Sequence, residues 1–142
     1  AGPGAGFSIG KPWMAPQSTA AVDSVEGQAA SPDSLLAFYK RMIRLRGATP
    51  ALSIGSAESV AAEGTIANPL ALLRQADGRT VLAVYNLSSK ANVVTVPAAA
   101  LPPATTWKDL LGGAETVRAS GSDPLVLGSL DAWSFRLLEA AP

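Results

Sequence analysis

The chain has no cysteine and no histidine among its 142 residues. Disulfides and thiolate metal sites are therefore excluded, although the redox compartment stays open. The commonest general base and the commonest metal ligand are missing too. Neither charge dominates: 11 Lys and Arg balance 11 Asp and Glu. A nucleic-acid or polyanion partner would need a basic patch, so none is expected. No apolar run reaches the ~20 residues that span a bilayer, so no membrane partner is expected either. The opening AGPGAGFSIG lacks the basic and apolar regions of a signal peptide. The chain starts without Met inside a Gly/Pro loop, as a piece of a longer polypeptide would. A soluble protein is expected, with the compartment left open between cytoplasm and periplasm or secreted space.

What is present is organised around SPDSLLAFYKRMIRLRGATP, residues 31–50. Ser31 can cap a helix, Pro32 fits its first position, and Asp33 complements the positive end of the dipole. Leu35, Leu36, Phe38, Tyr39, Met42, Ile43 and Leu45 recur at helical spacing and form a wide apolar face. Lys40, Arg41, Arg44 and Arg46 crowd the C-terminal turns, Gly47 suits the left-handed C′ position, and Pro50 blocks continuation. That face is wider than a small β domain needs, which implies a larger body outside this chain.

Residues 1–30 are rich in Gly, Pro, Ser and Ala and read as loop. Phe7, Trp13 and Met14 are its large apolar side chains. They either anchor the loop to a neighbouring surface or, with Lys11, line a pocket: Phe7, Lys11 and Trp13 are the candidate rim residues. After the helix, residues 51–62 read as a short strand region around Leu52, Ile54 and Val60. Leu70–Gln75 and Arg79–Leu87 are strands joined by Asp77-Gly78, a type I′ hairpin signal. RTVLAVYNL is apolar on both faces, as a central, doubly covered strand is. Ser88-Ser89 reads as another hairpin connection, leading to Ala91–Val96. Thr105–Leu111 runs into a Gly112-Gly113 turn. Pro124–Leu127 and Ala132–Leu138 close the chain, with Trp133, Phe135 and Leu137 sharing one face of the last strand. Short strands with hairpin turns and no intervening helices imply an antiparallel sandwich.

The chemistry on offer is sparse. Eleven carboxylates are scattered, and no motif sets two of them across a substrate as glycosidase chemistry requires. No phosphate-binding glycine loop and no metal-ligand spacing occur, so no cofactor and no metal is expected. Trp107 and Trp133 could stack on sugar faces; the simpler reading makes both sandwich core.

Taken in order, the segments resemble the C-terminal end of the α-amylase superfamily, glycoside hydrolase family thirteen. AGFSIGKPWM (residues 5–14) resembles the "NAGF…KPW" segment after the last barrel strand in the oligo-1,6-glucosidase and α-glucosidase branch. SPDSLLAFYKRMIRLRGATPAL (31–52) is similar to the last barrel helix. VLAVYNLSS (81–89) resembles the central strand of the C-terminal β domain, and WKDLLGG (107–113) its "w.dLLsG" turn. After Trp13 the likeness lapses: Met14-Ala15-Pro16-Gln17 replaces the usual P-V-N.

The resemblance implies a mainly β fold, an antiparallel Greek-key β-sandwich over residues 51–142. Residues 1–50 precede it as the last loop and last amphipathic helix of a (β/α)8 catalytic barrel. It implies a retaining α-glucoside hydrolase or transglycosylase, whose Asp nucleophile, Glu acid/base and second Asp lie on earlier barrel strands. No part of this chain matches those strands, so no catalytic residue is carried over. The partners implied are the remainder of the barrel and, through the whole enzyme, α-glucosides or maltooligosaccharides. Because barrel enzymes place their sites on the face carrying that last loop, Phe7, Lys11 and Trp13 are expected near the substrate entrance. The alternatives are a free-standing carbohydrate-binding module using Trp107 or Trp133, and a purely structural domain.

Overall fold

A computed structural model of the chain describes residues 6, 8–103, 106–112, 116–118 and 122–141. It divides into two compact units, residues 1–45 and 46–142.

In the first unit, residues 8–19 are irregular and two short helices follow, α1 (Ala20–Asp23) and α2 (Val25–Ala29). These correct the expectation of loop throughout. They are too short for a hydrophobic period to register, and local bonds make them: Ser24 Oγ accepts from Gly27 N–H at 3.1 Å and so caps α2. The long helix α3 runs Leu35–Ala48. Its start is also corrected. Residues 32–34 form a turn, and Ser34, not Ser31, caps it, accepting from Ala37 N–H at 3.2 Å. Gly47 lies inside the helix instead of ending it, and Pro50 opens the next turn. None of the apolar residues of α3 is buried; Leu35, Tyr39 and Ile43, four apart, are all exposed.

The second unit is β-rich. Residues expected as a strand around Leu52 instead form a helical turn, α4 (Pro50–Ser53), with Pro50 at its start and Ala51 and Leu52 buried. Two-residue strands β1 (Glu58–Ser59) and β2 (Glu63–Gly64) follow. Then come β3 (Leu70–Ala76), β4 (Arg79–Asn86), β5 (Asn92–Val96), β6 (Thr106–Asp109), β7 (Thr116–Arg118), β8 (Leu125–Leu130) and β9 (Ser134–Ala141). They form a six-stranded sheet in the order β1-β3-β4-β9-β6-β7 and a three-stranded sheet in the order β2-β5-β8. Every pairing is antiparallel. Strands distant in sequence lie side by side, as β4, β9 and β6 do; these are the crossovers of a Greek key. The expected sandwich is present.

Asp77 and Gly78 have φ of 51° and 73°, the two positive values a type I′ turn requires, and they join β3 to β4 as expected. The Ser88-Ser89 connection is no hairpin: β4 pairs with β3 and β9, whereas β5 pairs with β2 and β8 in the other sheet. Both faces of β4 are covered, as its composition predicted. Leu82 and Val84 join the core between the sheets, with Val94, Val96, Trp107, Leu125, Leu127, Leu130 and Leu138. Val81 and Ala83 are buried on the opposite face, where α4 packs on β3 and β4.

Two details depart from simple alternation. In β8, Val94 stands opposite Gly128 but Thr95 opposite Val126, so Leu127 is the extra residue of a bulge. Gly128, at φ 72°, supplies the left-handed step, and Leu130 returns to the core three residues after Leu127. The closing strand begins at Ser134, so Trp133 falls in the preceding turn, at φ 54°. Its face assignment is the reverse of a core reading: Leu138 meets Trp107 in the core, while Phe135 stacks on Tyr85 with ring centroids 5.7 Å apart on the outer face.

Candidate functional site

The candidate rim residues lie on the irregular segment ahead of α1. Ser8 folds it locally, its Oγ accepting from Gly10 N–H at 3.0 Å. Lys11 is exposed, and Trp13 is 94% exposed. They flank Pro12, whose fixed φ stiffens the backbone between them. Phe7, the third expected residue, lies outside the described residues. Lys11 forms no ion pair among the described residues.

A separate open hollow of about 460 Å³ lies in the same unit, lined by Val22, Asp23, Gly27, Gln28, Ser31, Ser34 and Leu35. Neither Lys11 nor Trp13 lines it. The side chains of Gln28 and Ser34 in its lining are committed to local structure. Gln28 Nε2 donates to Asp23 O at 2.8 Å, and Gln28 Oε1 accepts from Leu36 N–H at 2.9 Å. Ser34 Oγ lies 2.7 Å from Gln28 O and 2.8 Å from Ser31 O. The first free amides of α3 are thereby satisfied from residues upstream. Gln28 is the residue that sequence reasoning missed. Its partner lies eight positions on, beyond the reach of any capping-box pattern.

Two carboxylates of the sandwich are structural. Asp109 Oδ2 accepts from Arg136 Nε at 3.0 Å, and Asp109 Oδ1 accepts from Leu111 N–H at 2.8 Å. Glu139 accepts from Arg79 Nε at 2.5 Å. That hydrogen bond raises the Arg79 pKa; desolvation opposes it, and the Coulomb attraction of Glu139 adds the least, so Arg79 stays charged at any physiological pH. Among the described residues no cluster of three or more acidic side chains could hold a metal ion. No described helix is long and apolar enough to cross a membrane.

The two tryptophans weighed as sugar platforms separate cleanly. Trp107 is fully buried in the core. Trp133 is 70% exposed.

A two-sheet antiparallel sandwich following a capped amphipathic helix is the class of structure that the comparisons with known proteins return. No family model matches the chain. A probable alpha-glucosidase of Rhizobium meliloti (strain 1021) is 32% identical over 101 residues, which is 71% of this chain and 18% of that protein. The trehalulose synthase MutB of Pseudomonas mesoacidophila MX-45 superposes with a TM-score of 0.69 at 24% identity, over 97% of this chain and 23% of that one. The alpha-amylase of Geobacillus thermoleovorans, solved with acarbose, gives 0.65 at 21% identity, over 80% and 24%. The chain thus spans about a fifth to a quarter of the length of the relatives it matches. It belongs to the α-amylase family, glycoside hydrolase family thirteen, of which it is a C-terminal part.

Proposed function

We propose that this chain is the C-terminal portion of a retaining α-glucoside hydrolase or transglycosylase of the oligo-1,6-glucosidase and α-glucosidase branch. In this reading residues 1–50 supply the last loop and last helix of the catalytic barrel, and residues 51–142 buttress it. The chain supports catalysis and does not perform it. The observation that carries the reading is the row Leu35, Tyr39 and Ile43, left exposed on a helix whose Leu36 and Ala37 amides are capped by Gln28 and Ser34. An apolar row on a well-formed helix has to be covered by something, and the barrel of the longer protein is that cover. Asp109 and Glu139 are held by arginines within the sandwich and are structural. The reading assigns the nucleophile and the acid/base to the barrel because no segment of this chain matches the strands that carry them.

Phe7, Lys11 and Trp13 belong at the rim of the substrate entrance. There an ammonium can donate to sugar hydroxyls and an indole can stack on a pyranose C–H face. The full-length enzyme tests this: Trp13→Ala is expected to raise KM for an α-glucoside several-fold with the thermal midpoint unchanged. A full-length protein that turns over no α-glucoside sinks the reading, as does turnover by residues 1–142 alone. The rival reading, a free-standing carbohydrate-binding module, retains Trp133, which is exposed, and loses Trp107, which is not.

A further inference from the structure

The corner between α3 and α4 has the composition of a hinge. Gly47, Thr49 and Pro50 lie together there, and Thr49 is extended, at φ −120° and ψ 99°, between two helical segments. Gly47 is helical and exposed, and a Cβ built on it would meet nothing within 4 Å. Neither close packing nor a left-handed backbone calls for glycine at this position. Its effect is to loosen the last turn of α3, by about 1 kcal/mol relative to alanine.

Three arginines close this corner, and every group involved belongs to the second unit, residues 46–142. Arg46, in α3, reaches across the break: its Nη1 donates to Leu52 O at 2.6 Å and its Nη2 to Ser53 O at 3.3 Å. Arg79, in β4, donates from Nη1 to the carbonyl of Ala48, the last residue of α3, at 3.0 Å, while its Nε holds Glu139. Arg74, in β3, donates to Ala51 O at 2.8 Å and to Gly55 O at 3.0 Å, which fastens α4 to the sheet. The carbonyls at the ends of α3 and α4 have no partner inside their own helices, so they are free to take these donors. We infer that residues 47–50 are a latent hinge, that Arg46 and Arg79 are the lock that keeps it shut, and that Arg74 anchors α4. Thr49 O accepts from Leu52 N–H at 2.8 Å and from Ser53 N–H at 3.2 Å. Rotation at Thr49 carries that oxygen away from both amides and breaks the Arg46 and Arg79 bonds with them. The lock goes beyond the proposed function and holds whatever reaction the longer protein catalyses.

Hydrogen exchange of the full-length protein tests it, read by mass spectrometry on peptides covering residues 47–55, with residues 81–86 of β4 as the reference. In the native protein the Leu52 and Ser53 amides are expected to exchange at least about a hundredfold more slowly than in an unstructured peptide. Arg79→Met is expected to speed exchange across 47–55 at least about tenfold and to leave 81–86 unchanged. Gly47→Ala added to Arg79→Met is expected to slow it again about fivefold, the equivalent of the helix propensity that alanine restores. Where Arg79→Met does not fold, Arg79→Lys keeps the charge beside Glu139, loses the fork, and is expected to give the same pattern with a smaller amplitude. Native exchange in 47–55 near the unstructured rate overturns the lock. Equal acceleration in both regions overturns it too, because Arg79 then serves only overall stability. Gly47→Ala that slows nothing overturns the hinge.

Discussion

Asn86 Nδ2 lies 2.7 Å from Asp131 O, so a side chain at the end of β4 holds the turn between β8 and β9. The same nitrogen reaches Lys90 O at 2.8 Å and Leu130 O at 3.1 Å, and Asn86 Oδ1 accepts from Ser88 N–H at 3.1 Å. One buried amide thus ties together two connections that run between the two sheets, β4 to β5 and β8 to β9. Asn86→Leu keeps the branched shape and strands these groups without partners. We expect a loss of about 3 kcal/mol, since each unpaired buried polar group costs about 1–3 kcal/mol. Urea denaturation measures it; a loss under about 1 kcal/mol would mean water replaces the amide.

Arg136 and Asp109 form a pair whose side chains are 16% and 10% exposed. Arg136 also donates to Leu127 O at 3.1 Å, joining β9 to β8. Arg136→Met leaves a carboxylate with little solvent, and we expect a loss of about 3 kcal/mol. Arg136→Met combined with Asp109→Leu removes both charges and should be more stable than Arg136→Met alone. A double-mutant cycle in thermal unfolding checks the order; strict additivity would show that the pair is not coupled.

The start of α3 separates two serines. Ser34→Ala removes the bond to Ala37 N–H and should cost about 1 kcal/mol. Ser31→Ala leaves its acceptor carbonyl in place and should stay within about 0.5 kcal/mol. Equal losses in the two variants, measured by thermal melts of the full-length protein, would return the cap to Ser31.

The elements most legible in the sequence are those in which period and turn chemistry agree. Asp77-Gly78 between two apolar runs could only be a tight hairpin, and RTVLAVYNL could only be covered on both faces. Elsewhere the sequence signal is local and the cause is not. Ser31-Pro32-Asp33 is a better helix start than Ser34 by residue type; Gln28, reaching Leu36 N–H from the preceding helix, decides the matter. Leu52 resembles a strand residue because a four-residue helical turn shows no period, and Pro50, which blocks continuation of one helix, also opens a new turn. The strand expected at Pro124–Leu127 runs on to Leu130, because the bulge in β8 breaks the alternation that would show it. At the candidate rim the sequence supplied residue types alone. Lys11 and Trp13 are exposed and flank a proline, and residue type and position are all that the rim proposal rests on.

The kink at Gly128 has a further consequence for how these molecules tolerate crowding. β8 is an outermost strand of its sheet, and an outermost strand offers amides and carbonyls to any passing chain. By bending that row out of line, the bulge spoils the template on which a second molecule could zip up, and so protects the unit against fibrous self-association.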